Sequence, residues 1–325
     1  MSRTNWLVKR LIRALITTFV IITFNFFLFR VMPGDAVSNL SRIPHATPEL
    51  KQQIAAQFGL DQSLWHQYLA FLNQLAHGNL GISFQDQQSV VSDLWTAIVH
   101  SVPMVLLGTV LSVVFGIASG LWAAWRRGTY QEKIATSSAM LFYSLPTQFL
   151  GMLLILVFVT WLGWFPSGGT GNEFDFLGQT SQAEQVGQNL RAMFLPALTL
   201  ALILYGQYTL IVRSGLLETL GEDYILTAKA KGLSDRGIMM RHAFRNGMLP
   251  VVTLIALSFG FIAAGTILVE DVFSYPGLGL LVANAIRARD YPLLQAAFLL
   301  ITVCVIVANL LADLLYFRLD PRITT

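Results

Sequence analysis

The chain has 325 residues, of which 54% are hydrophobic and 12% charged, with a formal net charge of +3. Soluble domains carry about 25% charged residues, so this composition excludes a disordered chain and an ordinary soluble globule and leaves a multi-span membrane protein. A modest basic excess in such a chain marks cytoplasmic loops, not a nucleic-acid partner, and the single cysteine, Cys304, excludes an internal disulfide and a cysteine-built metal site.

Taken in chain order, six stretches are long and apolar enough to cross a bilayer: residues 11–32, 103–125, 139–165, 193–212, 248–269 and 293–317. They are too long and too uniformly apolar for barrel strands, so an all-α membrane protein with six transmembrane helices is expected. The first begins with Lys9-Arg10 but exceeds a signal-peptide core and lacks an Ala-x-Ala site, so a retained span is expected. Residues 33–102 are polar, with helical periodicity over 48–58 and 63–75; Leu64, Tyr68, Phe71 and Leu75 share one stripe, and a small extracytoplasmic cap is expected. In the second span Gly108, Gly116 and Gly120 fall on one face, a pattern that permits close helix contact. Pro146 is placed to kink the third span, and 166–191 reads as a loop.

The Lys and Arg residues divide unevenly. With the N-terminus inside, the inner side holds Arg3, Lys9, Arg10, Arg13, Arg126, Arg127, Lys133, Arg213, Lys229, Lys231, Arg236, Arg241, Arg245, Arg318 and Arg322. The outer side holds only Arg30, Arg42, Lys51, Arg191, Arg287 and Arg289, so an N-in, C-in topology is expected. The chain then divides into 1–32 (cytoplasmic segment and first helix), 33–102 (cap) and 103–325 (a five-helix core with a cytoplasmic loop over 213–247).

That loop is too polar to span yet helical in pattern. Glu222 and Asp223 suit a helix N-terminus, Gly232 a helix stop, and Ser234 the cap of a second helix over 235–246. Pro250 suits the start of the fifth span. Two short helices joined by a tight turn and tied to two spans form a docking element; an amphipathic loop at the lipid headgroups is the plainer alternative.

Other chemistry finds no support. Gly-Lys never occurs, so there is no Walker A phosphate loop, and Gly168-Gly169-Thr170-Gly171 has no preceding strand. His45, His66, His77, His100 and His242 form no His-Glu-x-x-His pattern, so neither catalytic nor metal residues are expected. Asn25, Gln148, Gln207, Asn309 and Asp313 lie within spans and either face a hydrated path or bond helix to helix; Gln148, Gln207 and Asn309 are the path candidates. An ion-coupled secondary transporter or channel would call for buried acids, broken helices or an inverted repeat.

The string Thr227-Ala228-Lys229-Ala230-Lys231-Gly232-Leu233-Ser234, followed by Arg241-His242-Ala243-Phe244-Arg245-Asn246-Gly247-Met248-Leu249-Pro250, resembles the coupling loop of ABC importer permeases of the dipeptide/oligopeptide/nickel branch. Met32-Pro33-Gly34-Asp35, Gly59-Leu60-Asp61, Gly78-Asn79-Leu80-Gly81, Phe273-Ser274-Tyr275-Pro276-Gly277-Leu278-Gly279 and Leu319-Asp320-Pro321-Arg322 resemble the same branch in order. The chain is most similar to the first of the two permeases in such systems. One departure is Leu226, where the general importer motif has Glu.

The resemblance implies a type I ABC importer permease in a bacterial plasma (inner) membrane. It implies a second permease, two cytoplasmic ATPases that bind ATP and Mg, and an extracytoplasmic solute-binding protein, within membrane lipid. It implies coupling through 213–247, with Tyr224, Thr227, Ala228, Lys229, Ala230, Lys231, Gly232, Leu233, Ser234, Arg241, His242, Arg245, Asn246 and Pro250 as the loop's site residues. Peptides are the first substrate class implied; nickel chelates, glutathione and oligosaccharides are the alternatives.

Overall fold

The computed structural model describes residues 3–31, 62–170, 181–248, 250–252, 254–255 and 266–319. The expected Pro33-Gly34-Asp35 turn, the 48–58 helix, Gly59-Leu60-Asp61, most of the fifth span and Asp320-Pro321-Arg322 lie outside them. All the regular elements among these residues are helical: α1 (Arg3–Val31), α2 (Leu64–Ala76), α3 (Val90–Trp125), α4 (Tyr130–Ser144), α5 (Thr147–Leu154) and α6 (Gln182–Leu220). After them come α7 (Asp223–Ala230), α8 (Asp235–Gly237), α9 (Phe244–Gly247), α10 (Ile267–Val272), α11 (Leu278–Ala288) and α12 (Tyr291–Leu319). Two π-helical turns, Ile155–Trp161 and Ile238–Ala243, continue α5 and join α8 to α9.

Four of these helices are long and apolar enough to cross a membrane, or five if the bent pair 130–144 and 147–161 is one span. Three expectations are corrected. The third span is not a kinked rod: its two halves meet at 104°. Pro146 forces Leu145 into an extended conformation (φ −71°, ψ 135°), which ends α4 outright. The helix of the second expected span starts at Val90, thirteen residues before the apolar stretch read from the sequence. The fourth span's helix starts at Gln182, because Ser181 and Glu184 form a reciprocal capping box inside what read as loop.

The chain forms two compact units. The first comprises 1–101, 263–267 and 276–325. In it α1 runs about 30 Å from Arg10 to Arg30, the thickness of a hydrocarbon core, with Leu15, Phe19 and Phe24 exposed between. Tyr68 and Phe71 of α2 pack on Phe26, and the Tyr68 hydroxyl meets Thr23 Oγ1 at 2.8 Å. Leu64, expected on that buried stripe, is instead exposed at the start of the helix. Val90, Leu94, Val282, Leu293 and Ala297 form the unit's apolar core.

Asp290, wholly buried, fixes one corner of this core. Its Oδ2 accepts from Ser83 Oγ (2.6 Å), Phe84 N (2.9 Å) and Gln85 N (3.2 Å), and its Oδ1 from Leu293 N (3.2 Å). Burial pushes its carboxyl above the usual aspartate range, against the pull of these donors. Asp290→Asn turns an amide N–H₂ toward one of them, and an unsatisfied buried pair costs about 1–3 kcal/mol. A lowered thermal midpoint of the detergent-purified chain is the expected result; an unchanged midpoint would refute the clamp.

The second unit comprises 102–262 and 268–275. The glycine face of α3 is used as expected: a Cβ at Gly108 would lie 2.9 Å from Ala197 O, at Gly116 2.4 Å from Tyr208 Cβ, and at Gly120 2.6 Å from Val212 Cβ. Gly206, on α6, faces α4, where a Cβ would lie 2.3 Å from Ala139 O. The Tyr205 hydroxyl joins three helices, meeting Ser119 Oγ on α3 at 3.0 Å and Ser138 Oγ on α4 at 3.4 Å.

Candidate functional site

The segment that follows α6, through Gly247, folds on itself. Glu222, extended, precedes α7; Asp223 occupies its first turn, where an acid complements the helix dipole. The helix ends at Lys231, and Gly232 follows with φ +76°. Only glycine takes that conformation without strain, so the turn depends on it. A Cβ there would meet nothing within 4 Å. Ser234 Oγ then accepts from Gly237 N at 3.3 Å and caps α8, as its position in the sequence predicts. The second helix runs through 235–247, but its middle, Ile238–Ala243, is π-helical.

The two helices share a small core of Ile225, Ala228 and Ile238, with Leu220 packed against it. Ala228 therefore faces inward, while Thr227, Lys229, Ala230, Lys231, Gly232, Leu233 and Ser234 are exposed. Asn246 Nδ2 donates to the Tyr224 hydroxyl at 2.8 Å and closes α7 against α9. His242 is half-buried in the π turn, and Pro250 is exposed. Leu226, Leu233 and Met240 are exposed apolar side chains, and Lys229, Lys231, Arg236, Arg241 and Arg245 are exposed cations. Exposed apolar side chains and exposed cations on one loop fit a partner surface that is apolar and acidic.

The loop meets α6 backbone to backbone. A Cβ at Gly215 would lie 2.5 Å from Gly247 O, and one at Gly247 2.9 Å from Gly215 O. Two residues earlier on α6 the Arg213 guanidinium holds Glu132 of α4, with Nε to Oε1 at 2.8 Å and Nη2 on the same oxygen. Glu132 Oε2 accepts from Gly128 N at 2.5 Å. The loop, α4 and α6 are thus tied together at one end of the unit.

None of Glu132, Arg213, Gly215 or Gly247 was legible as a contact from sequence. The two glycines did carry a signal, since glycine inside a helical pattern marks close approach. Gln148 is half-buried in the first turn of α5, at the bend, and Gln207 is half-buried beside Gly206. Asn309 is exposed on α12, in the first unit. The glycine run after the π turn serves packing: Gly169 N donates to Ser274 O at 3.3 Å, and a Cβ at Gly168 would lie 2.6 Å from Phe273 O. Among the described residues no group of three His, Cys, Asp or Glu could hold a metal ion.

Two family models match the chain. Residues 116–325 match "Binding-protein-dependent transport system inner membrane component", and residues 3–107 match its N-terminal companion, "Binding-prot-dependent transport system membrane comp, N-term". Curated relatives include the glutathione transport system permease protein GsiC of Escherichia coli strain K12, 33% identical over 319 residues, which is 98% of this chain and 98% of that protein. The protein of the same name from Shigella flexneri serotype 5b matches at 33% identity over the same share of both chains.

Proposed function

Because the chain belongs to the inner-membrane components of binding-protein-dependent transport systems, the permeases of ABC importers, we propose that residues 213–247 couple ATP hydrolysis to transport. ATP and Mg bind to two partner ATPases, whose closure moves the exposed face around Leu226, Leu233 and Met240. The Gly215–Gly247 contact carries that movement into α6. The spans open outward to a docked solute-binding protein, and product release returns them inward. The observation that carries this reading is the loop's own small core, locked to α6 without intervening side chains.

The remaining parts of the assembly follow from the same reading. A second, related permease completes the pathway, six spans run N-in to C-in, and the region before α3 meets the binding protein. Gln148, Gln207 and Asn309 line the hydrated path. Peptides are the substrate class. The glutathione named for the relatives is a tripeptide and stays within that class, while nickel chelates and oligosaccharides are the alternatives that an exchange of binding protein would reveal.

Gly232→Asp tests the coupling. A Cβ at Gly232 would meet nothing within 4 Å among the described residues, so the substitution enters open space. Non-glycine backbone in the left-handed region costs about 1–2 kcal/mol, which Gly232→Ala shares without adding charge. The expected result is normal insertion and assembly for both, with uptake reduced at least about tenfold for Asp, equivalent to about 1.4 kcal/mol, and far less for Ala. Wild-type uptake by an assembled Gly232→Asp complex would end the assignment.

A further inference from the structure

We propose that α2 is an in-plane membrane helix whose exposed apolar flank takes the acyl chains of the leaflet at the C-terminal end of α1 (the outer leaflet, on the N-in topology proposed above). The helix, Leu64–Ala76, contains no Asp, Glu, Lys or Arg. Its side chains sort into three stripes. Gln67, Tyr68 and Phe71 make the packed side, where Gln67 Nε2 is satisfied by Gln62 O at 2.9 Å. Trp65, Leu69, Leu72 and Ala76 recur at i, i+4, i+7 and i+11 and form a second, apolar stripe. It is left uncovered: Trp65 is 63% and Leu69 46% exposed. One residue on, about 100° round the helix, His66, Asn73 and His77 form an exposed polar stripe. An uncharged helix with one apolar and one polar side open suits a lipid–water boundary, which takes both.

Contacts within the first unit set the depth. The Tyr68 hydroxyl meets Thr23 Oγ1 at 2.8 Å, and the rings of Tyr68 and Phe71 lie 5.2 and 5.5 Å from that of Phe26. Thr23 and Phe26 stand inside the apolar run of α1, which continues in sequence to Met32, before Pro33-Gly34-Asp35. Phe26 is six residues short of the end of that run, about 9 Å along a helix. The helix is thus held beside the run and not beyond it. An interfacial helix sinks its apolar side about 5–10 Å into the boundary between headgroups and acyl chains, which matches the level of Phe26. The apolar surface is also continuous from one helix to the other. Phe27 of α1, itself exposed, lies 6.0 Å ring to ring from Tyr68, and Tyr68 lies 5.8 Å from Trp65. Phe24 and Leu28 extend the exposed flank along α1. Lipid covering this part of a spanning helix therefore runs on to Trp65 and Leu69 without crossing a charged side chain. Tryptophan itself is favoured where an apolar zone meets water.

Photo-crosslinking tests the assignment. It reads neither ATP hydrolysis nor uptake, so its outcome is separate from that of the coupling. Benzoylphenylalanine replaces Trp65, Leu69 or His66, all exposed, in three separate full-length chains produced with their partner subunits. Native membranes are irradiated, the assembled complex is purified, and adducts on this chain are identified by mass spectrometry. Positions 65 and 69 are expected to give phospholipid adducts roughly tenfold more abundant than position 66, the contrast between the lipid and water sides of an interfacial helix. Two positions on the flank keep the test open should one variant fail to assemble. A protein adduct as the main product at 65 and 69 would mean that another chain covers the flank, and overturns the proposal. Equal phospholipid yield at all three positions overturns it too, as does the absence of phospholipid adducts from the flank of an assembled complex.

Discussion

Gly215→Val is expected to leave a complex that hydrolyses ATP without transporting substrate. At this position α6 and the loop touch through main-chain atoms, with Gly247 O only 2.5 Å from where a Cβ would stand. A side chain would have to push whole helices apart, because no rotamer change can clear a carbonyl oxygen. Overpacking of this kind costs about 1–3 kcal/mol, not enough in itself to unfold a helical unit of this size. On the proposed coupling the cost falls on the joint between loop and span, so uptake should suffer far more than stability. The check is the ratio of substrate taken up to ATP hydrolysed in proteoliposomes. A wild-type ratio would show that movement leaves the loop by another route, such as the Arg213–Glu132 pair.

Gly116→Leu is expected to prevent recovery of a folded chain. The new Cβ would fall 2.4 Å from Tyr208 Cβ, with Tyr205 O at 3.3 Å and Thr209 N at 3.4 Å. Tyr208 is itself wholly buried and has nowhere to turn. In a bilayer this crossing is held by packing, since lipid tails are as apolar as the side chains they would replace. The expected loss is about 3 kcal/mol or more, at the top of the overpacking range, because a second contact at Gly120 must open with the first. Gly187→Ala provides the comparison. It sits on the same α6, where a Cβ meets nothing within 4 Å, and should gain up to about 1 kcal/mol of helix propensity. Yield of monodisperse material on size exclusion separates the two. Equal yields would mean that α3 and α6 do not cross as described.

Local patterns were readable in the sequence wherever the cause was local. The turn at Gly232 and the cap at Ser234 depend on backbone geometry that a few neighbouring residues dictate. The glycine face of α3 follows from periodicity, and its use against α6 is the simplest way to bury such a face. What could not be read depends on residues far apart. The clamp on Asp290 joins it to Ser83, and the ion pair joins Glu132 to Arg213. Helix α11 carries an apolar period at Leu278, Leu281, Val282 and Ala285, but it follows a loop-like Pro-Gly string and is too short to count among the apolar spans. At Pro146 the sequence announced a disturbance but not its size. A proline bends a helix when the preceding residue stays helical and severs it when, as with Leu145, that residue turns extended.

The glycines of α6 have a mechanical consequence. This helix touches α4 at Gly206 and the loop at Gly215 through main-chain atoms, and it receives Gly116 and Gly120 of α3 against the Cβ atoms of Tyr208 and Val212, which are fixed to its backbone. Contacts of that kind leave little room to ratchet by rotamer exchange or to twist about the helix axis. The degrees of freedom of the second unit therefore collect where its helices are already broken: at Leu145-Pro146 and at the two π turns, Ile155–Trp161 and Ile238–Ala243. The rest can travel as one stiff body, so on the proposed coupling a movement of the loop passes to α6 through the Gly215–Gly247 contact.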